Sequence, residues 1–124
     1  MKTYTFRLKP GQDLLDSIET FVAEKKIEAG CMLSSVGSLT HATLRLANRE
    51  HYNEYEGHFE IVSMTGTVAV SGSHIHVSIS DGDGVTIGGH LVPGCEIYTT
   101  AEIVLAVFDD VVYTRELLEN DSVF

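Results

Sequence analysis

Apolar and polar positions alternate with a period of two along most of the chain, and one stretch near the start changes to a helical period. Tyr4, Phe6 and Leu8 alternate with Thr3, Thr5 and Arg7, which predicts a first strand stopped at Pro10-Gly11. Asp13 then stands where a side-chain oxygen can cap a helix, with Asp16 in the favourable first turn. Leu14, Ile18, Phe21 and Val22 form one apolar stripe at helical spacing. Lys25 and Lys26 suit the negative C-terminal end, and Gly30 is the expected stop.

From Cys31 onward the period returns to two. "CMLSSVGSL" predicts a strand broken near Gly37, and "HATLRLA" a further one with Ala42, Leu44 and Leu46 on one face and His41, Thr43 and Arg45 on the other. "HFEIVSMTGTVAV" predicts one long strand, bent or bulged at Gly66 because β-branched residues resume beyond it. "HIHVSIS" and "VTIGGHL" flank an acidic glycine turn, and "CEIYTTAEIVLAVF" supplies another long strand. The expected architecture is α+β: a mainly antiparallel β-sheet of about seven strands with one main helix near the N-terminus. Residues 1–124 are expected to form a single domain, since the length suits one core and is too short for two.

Composition narrows the function classes. With 44% hydrophobic and 21% charged residues the chain reads as an ordered globular protein. Its formal charge is −10, from eight basic and 18 acidic residues, and Lys25-Lys26 is the one adjacent basic pair. A duplex-binding surface needs clustered Lys and Arg, so unaided nucleic-acid binding is disfavoured. The N-terminus alternates instead of opening into an apolar run, and no stretch has the roughly 18 apolar residues of a membrane span. A cytoplasmic protein with no membrane association is expected. Cys31 and Cys95 have no CxxC spacing and are expected to be reduced thiols.

The candidate chemistry lies in "HIHVSISDGDGVTIGGH", residues 74 to 90. His74 and His76 are one residue apart, so on a strand both leave the same face. Three neutral imidazoles with an open fourth position form a catalytic-zinc pattern. Whether His90 joins depends on the turn. A two-residue loop at Gly82-Asp83 sends it to the opposite face, whereas a three-residue loop, Gly82-Asp83-Gly84, pairs Asp81 with Val85 and sets His76 across from His90. Gly84 can supply the left-handed conformation this loop favours, and a bulge at Gly88-Gly89 could restore the parity after a four-residue loop. Three histidines in seventeen residues also suit a hydrogen-bonded polar patch. His41, His51 and His58 lack such spacing and are expected at the surface.

Other candidates weigh less. Asp81 and Asp83 have the alternate spacing of a calcium loop, but Val85 and Val92 fall where further ligands belong, so a plain turn is expected. Gly88-Gly89 fits no phosphate-loop pattern. Cys95 is expected to be a buried thiol rather than a nucleophile. Glu102, in "TTAEIVL", is an acid within an apolar strand, expected to be partnered either by an arginine or within a site as a catalytic base.

"SSVGSLTHATLRL", "GHFEIVSMTGTVA", "HIHVSISDGDGVTIGGHLVPGC" and "TTAEIVL" together resemble the plants-and-prokaryotes conserved domain, called PPC or PCC, in its stand-alone prokaryotic form. The match covers nearly the whole chain, and its most specific element is His-x-His followed by Gly-Gly-His-Leu. The resemblance implies a homotrimer with three metal-binding histidines, which fall on His74, His76 and His90; zinc or another divalent transition metal is the expected cofactor. Plant relatives join this domain to AT-hook motifs, which makes a DNA-associated oligomerisation module an alternative, although this chain has no Arg-Gly-Arg-Pro core. A metal-dependent enzyme, a hydrolase or lyase using Glu102 as base on a small-molecule ligand, is the other.

Overall fold

A computed structural model describes residues 1–116. Its elements run β1 (Lys2–Leu8), α1 (Leu14–Glu24), β2 (Gly30–Arg45), β3 (Asn53–Val68), β4 (His74–Ser80), β5 (Thr86–Leu91) and β6 (Glu96–Val107). One helix and six strands in a single antiparallel sheet confirm the mainly β, α+β expectation. Among the described residues the strands number six because "CMLSSVGSL" and most of "HATLRLA" are one uninterrupted strand, β2. Gly37 is no break. A Cβ there would sit 2.2 Å from the Thr100 carbonyl oxygen and 2.7 Å from the Ala101 Cα, so the glycine lets β6 pass close beside β2.

The sheet order is β1-β6-β2-β3-β4-β5, with a further pairing of β2 to β5. Along one edge β2 pairs with β3. Its other edge is divided, with β6 beside Gly30 to His41 and β5 beside Leu44 and Arg45. Strands β2, β3, β4 and β5 therefore close into a ring, and β6 and β1 extend it on one side. Register slips near Met32, Gly37 and Leu39 on the β2–β6 boundary let β2 bend enough to serve both neighbours.

Asp13 caps α1 as expected: its Oδ2 accepts from the Asp16 amide at 2.9 Å. Its Oδ1 also accepts from the Gly94 and Cys95 amides, at 2.7 and 3.0 Å, which fastens the helix start to the turn before β6. The helix ends at Glu24, well before the expected Gly30. Lys26 takes the left-handed conformation (φ 53°), the Ile27 amide reaches the Val22 carbonyl at 3.0 Å, and the Lys26 amide reaches Ala23 at 3.2 Å. These are the bonds of a Schellman ending, with buried Val22 and Ile27 as its apolar pair. Gly30 instead opens β2.

Leu14, Leu15, Ile18 and Val22 bury one helical face in a core with Leu39, Ile75, Ile79, Ile97, Ile103 and Leu105. Each such side chain contributes about 1.5–3 kcal/mol by leaving water. Phe21 lies at the margin, stacked on Phe6 with ring centroids 3.9 Å apart. In β3 the irregularity falls between Ile61 and Ser63, not at Gly66, which stays in register with Ile75. Gly66 has φ 156°, and a Cβ there would lie 2.1 Å from the His74 carbonyl oxygen. It is a site of close strand approach rather than a bulge.

Candidate metal centre

The turn between β4 and β5 decides where His90 points. The Asp81 amide donates to the Val85 carbonyl at 3.0 Å and the Gly84 amide to the Asp81 carbonyl at 3.0 Å, enclosing Gly82, Asp83 and Gly84 as a three-residue loop. Gly84 has φ 80°, the left-handed conformation this loop requires. Asp81 Oδ1 accepts from the Asp83 and Val85 amides at 2.9 and 3.0 Å, so its carboxylate is engaged in shaping the turn. His76 consequently lies directly across from His90. No bulge is needed at Gly88-Gly89, because Ser78 and Val77 face them in register. Those glycines serve closeness instead: a Cβ on Gly89 would sit 2.9 Å from the Arg45 carbonyl oxygen, and one on Gly88 2.8 Å from that of Val77.

His74, His76 and His90 form one cluster. Ring centroids are 5.0 Å apart for His74 with either neighbour and 5.7 Å for His76 with His90. One nitrogen from each lies within 4.8 Å of the others. A tetrahedral ion bound at about 2.0–2.1 Å needs its ligand nitrogens about 3.4 Å apart. The Nδ1 of His90 is buried without a hydrogen-bond partner among the described residues. Burial, then the charge of Arg45 and the neighbouring imidazoles, holds His90 down to about 4. His74 is also lowered, first by burial and then by His76, Arg115 and Arg45. Both imidazoles are thus kept in the neutral form that ligates metal. The three residues can hold a metal.

Glu102 does not join them. It is exposed on β6, where Arg7 of β1 and Val36 of β2 are its cross-strand neighbours, so the burial cost expected for it does not arise. Cys95 is fully buried and its thiol is pushed up to about 11, chiefly by burial, as an inert core thiol should be. His51 and His58 are exposed, with His58 stacked on Tyr98 at 4.6 Å. His41 departs from the surface expectation, being partly buried and 3.4 Å from Glu54.

Two arginines escaped the sequence reading as parts of this site. Arg45 is directly across from His90 in the β2–β5 pairing, and Arg115 bears on both His74 and His90. The parity of "HATLRLA" gives Arg45 its face, but which strand would pair there was not legible.

Comparison with known proteins matches residues 1–109 to the family model of the Plants and Prokaryotes Conserved (PCC) domain. The chain is 47% identical over 106 residues to the bifunctional protein GlmU of Synechococcus, covering 86% of this chain and 17% of that protein, so it spans a small part of that relative's length. A hypothetical protein of Salmonella enterica superposes with a TM-score of 0.94 at 33% identity, over 98% of this chain and 89% of that one. A metal-containing protein of Archaeoglobus fulgidus superposes at 0.83 with 30% identity, over 100% of this chain and 91% of that one. Together with the sheet and the histidine hairpin, the family match over 109 of the 124 residues establishes that this chain belongs to the PCC domain family.

Proposed function

We propose that the protein is a metal-binding PCC domain in which His74, His76 and His90 hold one divalent transition ion, zinc by preference, and that it assembles as a homotrimer. The observation that carries the metal reading is the convergence of three imidazoles, one nitrogen from each lying within 4.8 Å of the others. Three neutral nitrogens without a thiolate suit zinc, and also copper, iron or nickel; they leave a fourth position for water or a ligand, as in catalytic rather than structural zinc sites. The Archaeoglobus relative, described as metal-containing, lends support. The trimer is supported by Leu33, Val36 and Val62, each more than half exposed on β2 and β3, an apolar surface that association would cover.

The test is the metal content of untagged protein purified without chelator, beside a His74→Ala, His76→Ala variant. About one ion per chain, absent from the variant, is expected. An ion-free wild type that also fails to take up added zinc would overturn the proposal. Light scattering at micromolar concentration tests the assembly, which a monomer would refute.

A further inference from the structure

A second hollow, of about 670 Å³, opens beside the β4–β5 turn, at the far end of β4 from His74 and His76. Its lining includes a row of cross-strand partners, Ser38 on β2, Glu60 on β3 and Ser80 on β4. Directly opposed residues have Cβ atoms about 4.5–5.5 Å apart, so the Glu60 carboxylate stands between two hydroxyls.

Two irregularities aim aromatic rings at this row. The ladder pairs Gly37–Ala101 and Leu39–Ile97 are two residues apart on β2 and four apart on β6, so β6 bulges opposite Ser38. Neighbours on a regular strand point to opposite faces, whereas Tyr98 and Thr99 both line the hollow. On the other edge of β2, Leu39 pairs with Phe59 and His41 with Glu56, which leaves Gly57 and His58 to oppose Thr40 alone. His58 lies flat on Tyr98, with ring centroids 4.6 Å apart and planes 4° apart. The Ser38 and Thr99 hydroxyls share a hydrogen bond of 2.7 Å beside them.

No Lys or Arg lines this hollow. Asp81 commits its Oδ1 to the turn amides, whereas the Glu60 carboxylate has no hydrogen bond or ion pair among the described residues. The lining is therefore rich in acceptors and π surface, and its charge is negative. We propose that the hollow binds a small organic cation, a primary alkylammonium. Its N–H groups reach Glu60 and the Ser38 and Ser80 hydroxyls, and its alkyl stem lies on the Tyr98–His58 stack. An ammonium has three donors and no acceptor, which suits this set, and an aromatic face attracts it within about 6 Å. The volume falls in the range of about 300–1,000 Å³ common to small-molecule sites. Nothing in this reading depends on a metal at the histidines.

The experiment titrates n-butylammonium chloride into the full chain in phosphate buffer near neutral pH, following the His58 and Tyr98 ring signals by NMR. n-Butanol serves as the neutral probe with the same stem. Glu60→Gln is compared with Glu50→Gln, which removes an equal charge from an exposed position between β2 and β3. Saturable shifts with a Kd of about millimolar are expected for wild type, as suits a ligand of a few heavy atoms. Binding should weaken about tenfold in Glu60→Gln, stay unchanged in Glu50→Gln, and be about tenfold weaker for butanol. The absence of a saturable shift, or an unchanged Kd in Glu60→Gln, overturns the proposal. Equal weakening in both variants also overturns it, since the cation would then be answering the net charge of −10. Butanol binding as tightly as butylammonium overturns it too, because the hollow would be reading the apolar stem alone.

Discussion

His76 and His90 face each other across the β4–β5 ladder with ring centroids 5.7 Å apart, and the His90 Nδ1 is buried there without a partner. An unsatisfied buried nitrogen costs about 1–3 kcal/mol. His90→Leu should therefore raise the stability of the metal-free protein by about 1 kcal/mol while lowering metal affinity by more than about 100-fold. Urea unfolding of both metal-free proteins, with metal titration alongside, checks the pair of outcomes. A destabilised variant would show that the imidazole stabilises the fold without an ion.

Protonation of the same residue ties stability to pH. His90 titrates at about 4 in the folded chain against about 6.5 when unfolded. Between those values the unfolded chain binds a proton that the folded chain refuses, so this residue's contribution is full above about 6.5 and is lost as pH falls towards 4. Glu19, raised by burial, acts in the opposite sense, so the useful quantity is wild type against His90→Leu. The metal-free variant's advantage in urea midpoint should widen from pH 7.5 to pH 5. A constant gap would mean that His90 protonates as readily folded as unfolded.

Gly66→Ala should cost about 2–4 kcal/mol, because its Cβ would meet the backbone of His74 and Ile75 at 2.1 and 2.7 Å. Displacing His74 should weaken metal binding as well. Gly82→Ala is the matched control: nothing lies within 4 Å of its Cβ, and a change within about 0.5 kcal/mol is expected. Thermal melts with and without zinc separate the two effects, and equal melts for the two variants would refute the close-approach argument.

Lys26 occupies the left-handed position that ends α1, at φ 53°. A side chain there costs about 1–2 kcal/mol that glycine avoids, less the greater freedom glycine has when unfolded. Lys26→Gly should stabilise the protein by about 0.5–1 kcal/mol in urea unfolding. A loss of stability would indicate that the lysine side chain makes a contact outweighing its backbone strain.

Local signals were legible where a single element decides the outcome. The Asp13 cap and the alternating strands follow from neighbours in sequence, and the Gly82-Asp83-Gly84 loop that sets His90 across from His76 was one of the turns the sequence left open. What depends on distant chain segments was not legible. Gly37 looks like a break in sequence and Gly66 like a bulge, whereas they mark where β6 and β4 come close. The end of α1 went unseen because a lysine, not a glycine, adopts the left-handed turn. Glu102 sits in an apolar run, yet its side of β6 faces outward beside Arg7. The contribution of Arg45 required knowing that β5 takes over the edge of β2 where β6 leaves it.

The three-residue turn also bears on the order in which the chain assembles. All three imidazoles are carried on seventeen consecutive residues, and a hairpin of that length forms in about 1–10 μs. Pairing β1 with β6 must instead bring Lys2 to Val107, almost the whole chain apart, and such distant contacts make folding slow. An ion caught by the hairpin would pin its register before the outer strands arrive. Metal supply would then bear on how firmly the hairpin holds its register, while the pace of reaching the native topology stays with the distant β1–β6 pairing.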